Sequence, residues 1–194
     1  MANFQPSWMS VVKKAKMALK ICTHSGSFHA DESLAVYLVR LLPKYKESTL
    51  VRSRDPKEWE LSDIVIDVSG QYDGVKYFDH HQRGSEEVFS NEFLTKLLSA
   101  GLIYKHFGKE IIANHTGLDA SDDNVGLLYK KIYKEFVEAL DANDNGIDNY
   151  SKDATKKFND KNITLPAIVS RLNPSWISDP TDKDFDASFE QSSK

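Results

Sequence analysis

Read for its hydrophobic periodicity, the chain alternates short apolar runs with amphipathic stretches. Residues 20–24 (KICTH) read as a brief buried strand, and Leu34, Leu38, Leu41 and Leu42 recur at a spacing that predicts a helix over 32–42. Residues 48–53 (STLVRS) predict a second strand, followed by a turn at Pro56 and one helical turn around Trp59. The β-branched run 63–68 (DIVIDV) has the character of a strand covered on both faces, and Val75–Phe78 supplies a fourth strand after Gly70 and Gly74. Thereafter the period is helical. Phe93, Leu97, Gly101 and Tyr104 share one face, while Leu128, Ile132, Phe136 and Leu140 share another, on a helix that SDDN at 121–124 caps. Strand-helix alternation followed by helices predicts an α/β fold with a mainly parallel sheet flanked by helices.

The pattern weakens at both ends. SWMSVVKKAKMALK carries Lys13, Lys14, Lys16 and Lys20 without an acidic residue, so 1–19 reads as a basic segment. Its lack of arginine favours a helix leading into the first strand over a mitochondrial presequence. Residues 20–148 form the α/β domain. Past Gly146 the polar sequence NDNGIDNYSKDATKKFNDKN reads as a connection, with a short helix near 165–172 after it. Phe185 and Phe189 then stand at helical spacing with no evident partner, so 149–194 is expected to connect to, and begin, a second domain that continues further.

Composition narrows the function classes. With 40% hydrophobic residues the 194-residue chain can bury a core, and no run approaches the roughly 18 apolar residues of a membrane span. The single cysteine, Cys22, rules out an internal disulfide framework and fits a reducing intracellular compartment. A net charge of -4 argues against non-specific coating of nucleic acid, which depends on Lys and Arg neutralising phosphates. Clustered carboxylates compensated by bound cations remain compatible with that balance.

The chemistry concentrates at strand ends, where open parallel α/β sheets bind ligands. His24 follows the first strand, Asp67 closes DIVID, and Asp79-His80-His81 follows VKYF. Asp31 and Glu32 open the first helix, an ordinary place for acidic residues. Asp141 and Asp144 end the long helix, where the helix dipole disfavours a carboxylate unless a cation compensates it. Taken singly each has a mundane explanation; their coincidence in one crevice points to a divalent metal site. Imidazole with carboxylate suits manganese, zinc or iron better than calcium. DANDNG from Asp141 to Gly146 does match the start of an EF-hand loop, but its twelfth position is Lys152 instead of a bidentate Glu, and the calcium reading is rejected.

Together THSGSFHADESLA, DIVIDVSGQYDG, YFDHHQRG and ALDANDNGID resemble the melanocyte-proliferating-gene family of DHH-like exonucleases, related to the DHH phosphoesterases, over essentially the whole chain. The resemblance implies a DHH phosphoesterase-like N-terminal domain. It makes His24, His29, Asp31, Asp67, His80 and Asp141 metal ligands, with Asp67 bridging two ions and Asp144 a nearby substitute for Asp141. It has His81 face the scissile phosphate and Asp79 orient an imidazole. Related enzymes often carry three aspartates in the first motif, where this chain has His29, Asp31 and Glu32, which leaves the number of metals and the role of Glu32 open.

The implied activity is two-metal phosphodiester hydrolysis, with manganese the expected divalent metal and the cations about 3.5–4 Å apart. The expected action is that of a 3′-to-5′ exonuclease on RNA or a short oligonucleotide, with nucleus and mitochondrion implied by the resemblance and the cytosol as the alternative. Arg54 and Arg83 are candidate phosphate contacts, with Arg52 read as a solvated surface residue instead. Two alternatives stand beside this one: a small-molecule phosphatase, pyrophosphatase or nucleotide phosphodiesterase on the same scaffold, and a non-enzymatic regulatory domain.

Overall fold

The computed structural model describes residues 18–147 and 163–194. The sheet is built from β1 (Lys20–Thr23), β2 (Thr49–Arg52), β3 (Ile64–Ile66) and β4 (Tyr77–Phe78), all parallel, in the order β2-β1-β3-β4. Ile64, Val65 and Ile66 are completely buried, as the apolar run foretells, because helices cover both faces. Edge strand β2 is half-buried. The crossovers are α1 (Ala30–Arg40) and α2 (Pro56–Glu60), the latter started by Asp55, whose carboxylate accepts the Lys57 amide at 3.0 Å. Since β2 and β3 flank β1 on opposite sides, the chain reverses direction across the sheet at β1 and β3. Their carboxyl ends therefore border a crevice, the usual ligand position of such sheets.

Two long helical stretches complete this layer. Helix α3 (Ser99–Thr116) packs on α1 and ends at Gly117, whose φ of +73° lets its N–H return to Ala113 O at 2.8 Å. It begins later than the apolar spacing suggests: Phe93 and Leu97 precede it, buried in the approach to its first turn. Helix α4 (Asp123–Ile132) is capped by Asp122, which accepts the Asn124 amide at 2.8 Å, and continues through a π-helical turn (Tyr133–Val137) into α5 (Glu138–Asp144).

That π turn corrects the expected core stripe. Leu128, Ile132 and Phe136 are more than one-third exposed, whereas Val125, Tyr133, Val137, Leu140 and Asp141 are buried. A strict four-residue repeat outruns the 3.6-residue α-helical turn, and the wider π turn brings Tyr133, Val137 and Asp141 back onto one inward line.

Residues 163–194 hold α6 (Leu165–Ser170) and α7 (Asp182–Ser192). Phe189 does have a partner: completely buried, it packs edge-on to Phe28 at 5.4 Å between ring centroids. Arg40 grips Glu190 bidentately at 2.9 and 3.1 Å, and the Asn173 amide both donates to and accepts from the backbone of Phe28. This segment thus clamps the loop between β1 and α1. The junction expected at 149 lies outside the described residues. Among the described residues, no helix is long and apolar enough to cross a membrane.

Candidate metal centre

The loop leaving β1 supplies the first group. His24 is buried, its Nε2 lying 2.9 Å from Glu32 Oε1 and 3.7 Å from Asp67 Oδ2, while its Nδ1 sits 3.2 Å from the carbonyl of Ser25. His29 is the N-cap of α1; its amide donates to Glu32 Oε1 at 2.6 Å, and its largely exposed ring stands 3.9 Å from Glu32 Oε2. That backbone bond draws Glu32 back toward the crevice instead of out along the helix. One donor atom each from His24, His29 and Glu32 falls within a sphere of mutual distances below 4.8 Å.

The ends of β3 and β4 supply the second. Asp67 has φ +55°, a left-handed backbone that costs energy for a residue with a Cβ but is tolerated by aspartate, and it turns the side chain off the strand end into the crevice. Its Oδ1 lies 3.4 Å from Nδ1 of both His80 and His81. Asp79 is buried and accepts amide protons from Gly70 at 2.7 Å and His81 at 2.9 Å, besides facing His81 Nδ1 at 2.8 Å. Although burial pushes its carboxyl up, those donors win and hold it below the usual carboxylate range. Donor atoms of Asp67, Asp79, His80 and His81 also lie within 4.8 Å of one another. Asp67 thus belongs to one group through Oδ1 and reaches the other through Oδ2.

Asp31 and Asp141 occupy a different setting. Both cap the start of α3: Asp31 accepts the amides of Ser99 and Ala100 at 3.0 and 2.7 Å, and Asp141 accepts the amide of Leu98 at 3.0 Å and the hydroxyl of Tyr133 at 3.1 Å. Gly101 makes this approach feasible, because a Cβ there would lie 2.6 Å from Asp141 Oδ1. The dipole argument that singled out Asp141 is therefore answered within the protein, since its carboxylate faces the positive end of α3. Asp31 remains near the second group, with Oδ2 3.9 Å from His80 Nδ1. Asp144 is exposed, as are the residues of the would-be calcium loop that follow it up to 147.

Burial dominates the electrostatics. It raises Asp67 to about 10, with the charges of Asp31, Glu32 and Asp79 adding to the effect, and it raises Asp141 to about 7 against the opposing hydrogen bonds. Asp31 is driven up by burial as well, with Asp141 and Glu32 contributing. His80 is pushed down by burial and by His81. Glu32 Oε2 has no hydrogen-bond partner although the residue is completely buried, and both nitrogens of His24 face oxygen acceptors. A cation held by Glu32, His29 and Nε2 of His24 would give the orphaned oxygen a partner while Nδ1–H of His24 donates to Ser25 O, so the residues fit a divalent metal.

A family model described as "Uncharacterised protein family (UPF0160)", with the short name MYG1 exonuclease, matches residues 20–194. The chain belongs to the MYG1 family. Within it, a MYG1 protein of Saccharomyces cerevisiae is 56% identical over 184 residues, covering 93% of this chain and 54% of that protein. A MYG1 protein of Dictyostelium discoideum is 45% identical over 89% of this chain and 52% of its own length, and the human MYG1 exonuclease is 44% identical over 89% and 46%. The chain spans about half the length of the curated relatives it matches. No solved structure matches it.

The basic residues of this MYG1 chain divide differently from expectation. Arg52 is not a solvated surface residue: its side chain is 2% exposed, packs over Phe189 at 4.6 Å and Phe28 at 5.6 Å, and bonds Gly26 O at 2.6 Å and Asp186 at 3.1 Å. It fastens α7 to the loop that carries His24. Arg54 is exposed beside the same loop, 3.4 Å from Ser25 O, and Arg83 is exposed just beyond His81. Sequence reasoning missed Ser99, which is completely buried with its hydroxyl between Asp67 and His80. Its place at the start of a helix is a weak signal, because serine is common there for reasons of capping alone.

Proposed function

We propose that this MYG1 chain is the metal-binding α/β portion of a DHH-like phosphodiester hydrolase, a 3′-to-5′ exonuclease acting on RNA with manganese. One observation carries the reading: the two oxygens of Asp67 face separate groups, Oδ2 toward His24 at 3.7 Å and Oδ1 toward His80 and His81 at 3.4 Å each, an arrangement that would let one carboxylate serve two cations. His24, His29 and Glu32 would hold one cation; Asp67 with His80, assisted by Asp31 and Asp141, would hold the other. Divalent cations in such a setting supply Lewis acidity toward a phosphoryl oxygen and make water nucleophilic near neutral pH.

The remaining steps belong to the chain itself. Asp79, kept ionised by the Gly70 and His81 amides, holds Nδ1 of His81 and so fixes the ring's orientation, which turns Nε2 toward an incoming phosphoryl group. With its side chain 63% exposed, His81 is accessible to an incoming phosphodiester. Arg54 and Arg83 flank the crevice as phosphate contacts. The names of the human and bovine relatives, MYG1 exonuclease, support the nuclease class. Nucleus and mitochondrion are the compartments that go with this reading.

The test pairs manganese calorimetry with hydrolysis of 5′-labelled single-stranded RNA, pyrophosphate and a dinucleotide. Stepwise shortening of the RNA from its 3′ end is expected. Turnover of pyrophosphate alone would replace the exonuclease with a small-molecule phosphatase, and manganese binding without turnover of any of the three would leave a regulatory domain.

A further inference from the structure

Ser99 is the residue through which three elements meet. Its amide donates to Asp31 on α1 at 3.0 Å, its hydroxyl donates to Asp67 Oδ1 at the end of β3 at 3.2 Å, and the same oxygen lies 3.2 Å from Nδ1 of His80 after β4. A hydroxyl has one proton and two lone pairs. Once that proton goes to Asp67, the oxygen can only accept from His80. The other groups facing this nitrogen are Asp67 Oδ1 at 3.4 Å and Asp31 Oδ2 at 3.9 Å; each already accepts from Ser99, the first from its hydroxyl and the second from its amide, so a proton carried by either acid belongs on that acid's other oxygen.

We propose that Ser99 is a positioning residue of the centre: its hydroxyl receives Nδ1–H of His80 while donating to Asp67, which fixes His80 as the tautomer whose unprotonated nitrogen is Nε2. The role of the second nitrogen of a ligating imidazole is to be held by an acceptor, which sets both ring orientation and the nitrogen left for a cation. In this protein the acceptor is a serine that also restrains the shared carboxylate. One side chain consequently couples the bridging residue to its imidazole neighbour, and the helix start that carries it is itself anchored by Asp31 and Asp141. The link to metal rests on the function proposed above, whereas the tautomer does not.

The experiment uses the 194-residue chain in three forms, wild type, Ser99→Ala and Ser99→Thr. Alanine keeps the amide bond to Asp31 and removes only the hydroxyl; threonine restores it. Long-range nitrogen-proton correlation spectra of the histidine rings, taken without metal near pH 8, where an ordinary imidazole is neutral, report each tautomer. His80 is expected as Nδ1–H in wild type and Ser99→Thr, and as Nε2–H or a mixture in Ser99→Ala. Manganese calorimetry should show affinity falling about 10- to 100-fold in Ser99→Ala, with recovery in Ser99→Thr. A wild-type His80 in the Nε2–H form would overturn the assignment even if Ser99→Ala failed to fold. So would a folded Ser99→Ala with unchanged tautomer and unchanged affinity. Failure of wild type to bind manganese, with His80 still Nδ1–H, would instead sink the metal reading.

Discussion

Asp31 and Asp141 as one pair, and Asp67 and Glu32 as another, are all buried carboxylates, but they are compensated differently. The first pair is met by backbone amides at the start of α3, where the helix dipole favours negative charge. The second pair is met mainly by imidazoles, with Glu32 Oε2 left unpartnered and Asp67 raised to about 10. The first pair is therefore held by the scaffold's own donors, although burial still raises both carboxyls, whereas the second keeps an unpartnered oxygen whose deficit a cation would relieve. Capping does not bar Asp31 or Asp141 from binding a cation, because each carboxylate oxygen keeps a further lone pair.

The largest effect should come from Asp67. Asp67→Asn should reduce manganese-dependent hydrolysis to background and remove most metal binding, while the metal-free protein keeps its stability because the cost of holding a buried acid protonated has been removed. Wild-type turnover in this variant would break the comparison at its centre. On the scaffold side, Asp141→Ala strips the buried Leu98 amide and Tyr133 hydroxyl of their acceptor, each worth about 1–3 kcal/mol when left unpaired. Urea unfolding should register a loss of that order, whereas Glu32→Gln, which removes charge without orphaning a scaffold donor, should leave the midpoint in place. Gly101→Ala tests the same anchor from the other partner: the added Cβ would press on Asp141 Oδ1 at 2.6 Å and on the side chain of Leu97 at 2.8 Å, costing about 1–3 kcal/mol by overpacking. Equal stability of Gly101→Ala and wild type would mean that α3 and α5 can part freely.

This division explains what could be read from the chain and what could not. The β-branched run ending at Asp67 and the segment ending at Asp79-His80-His81 announce strand ends, and a parallel sheet brings strand ends together. The start of α3 was invisible because its caps come from Asp31 and Asp141, 68 and 43 residues away from the amides they accept. No local pattern encodes such a distant cap. Ser99 was hidden for the same reason. The displaced stripe on α4 reflects a π turn, which periodicity at 3.6 residues does not anticipate. Arg52 looked like a surface cation because the aromatic residues that enclose it, Phe28 and Phe189, lie on a loop and a helix far apart in the chain.

The smallest expected effect, and the finest test of the deficit, is the response of the metal-free protein to pH. Asp67 at about 10 and Asp141 at about 7, together with Asp31, which burial also raises, stay protonated in the folded state at pH values where an unfolded carboxyl, near 4, has already lost its proton. The folded state then binds more protons than the unfolded one, so stability falls as pH rises toward those values. His80 works the other way: held neutral by burial, it favours folding increasingly as pH climbs toward about 6.5 and is level above that. Asp79, depressed in the fold, has delivered its contribution well below neutrality, and Cys22, raised to about 11, begins to count only near the ordinary thiol value of 9.0. Between about pH 7 and 8.5 the raised carboxyls therefore act almost alone, and Tm should decline across that window. The decline should shrink in Asp67→Asn. Manganese should reverse it, since cations bind the deprotonated acids and their stabilisation grows with pH. A flat profile without metal, unchanged by Asp67→Asn, would mean that Asp67 is already ionised in the fold and that the contrast between the two pairs of carboxylates does not exist.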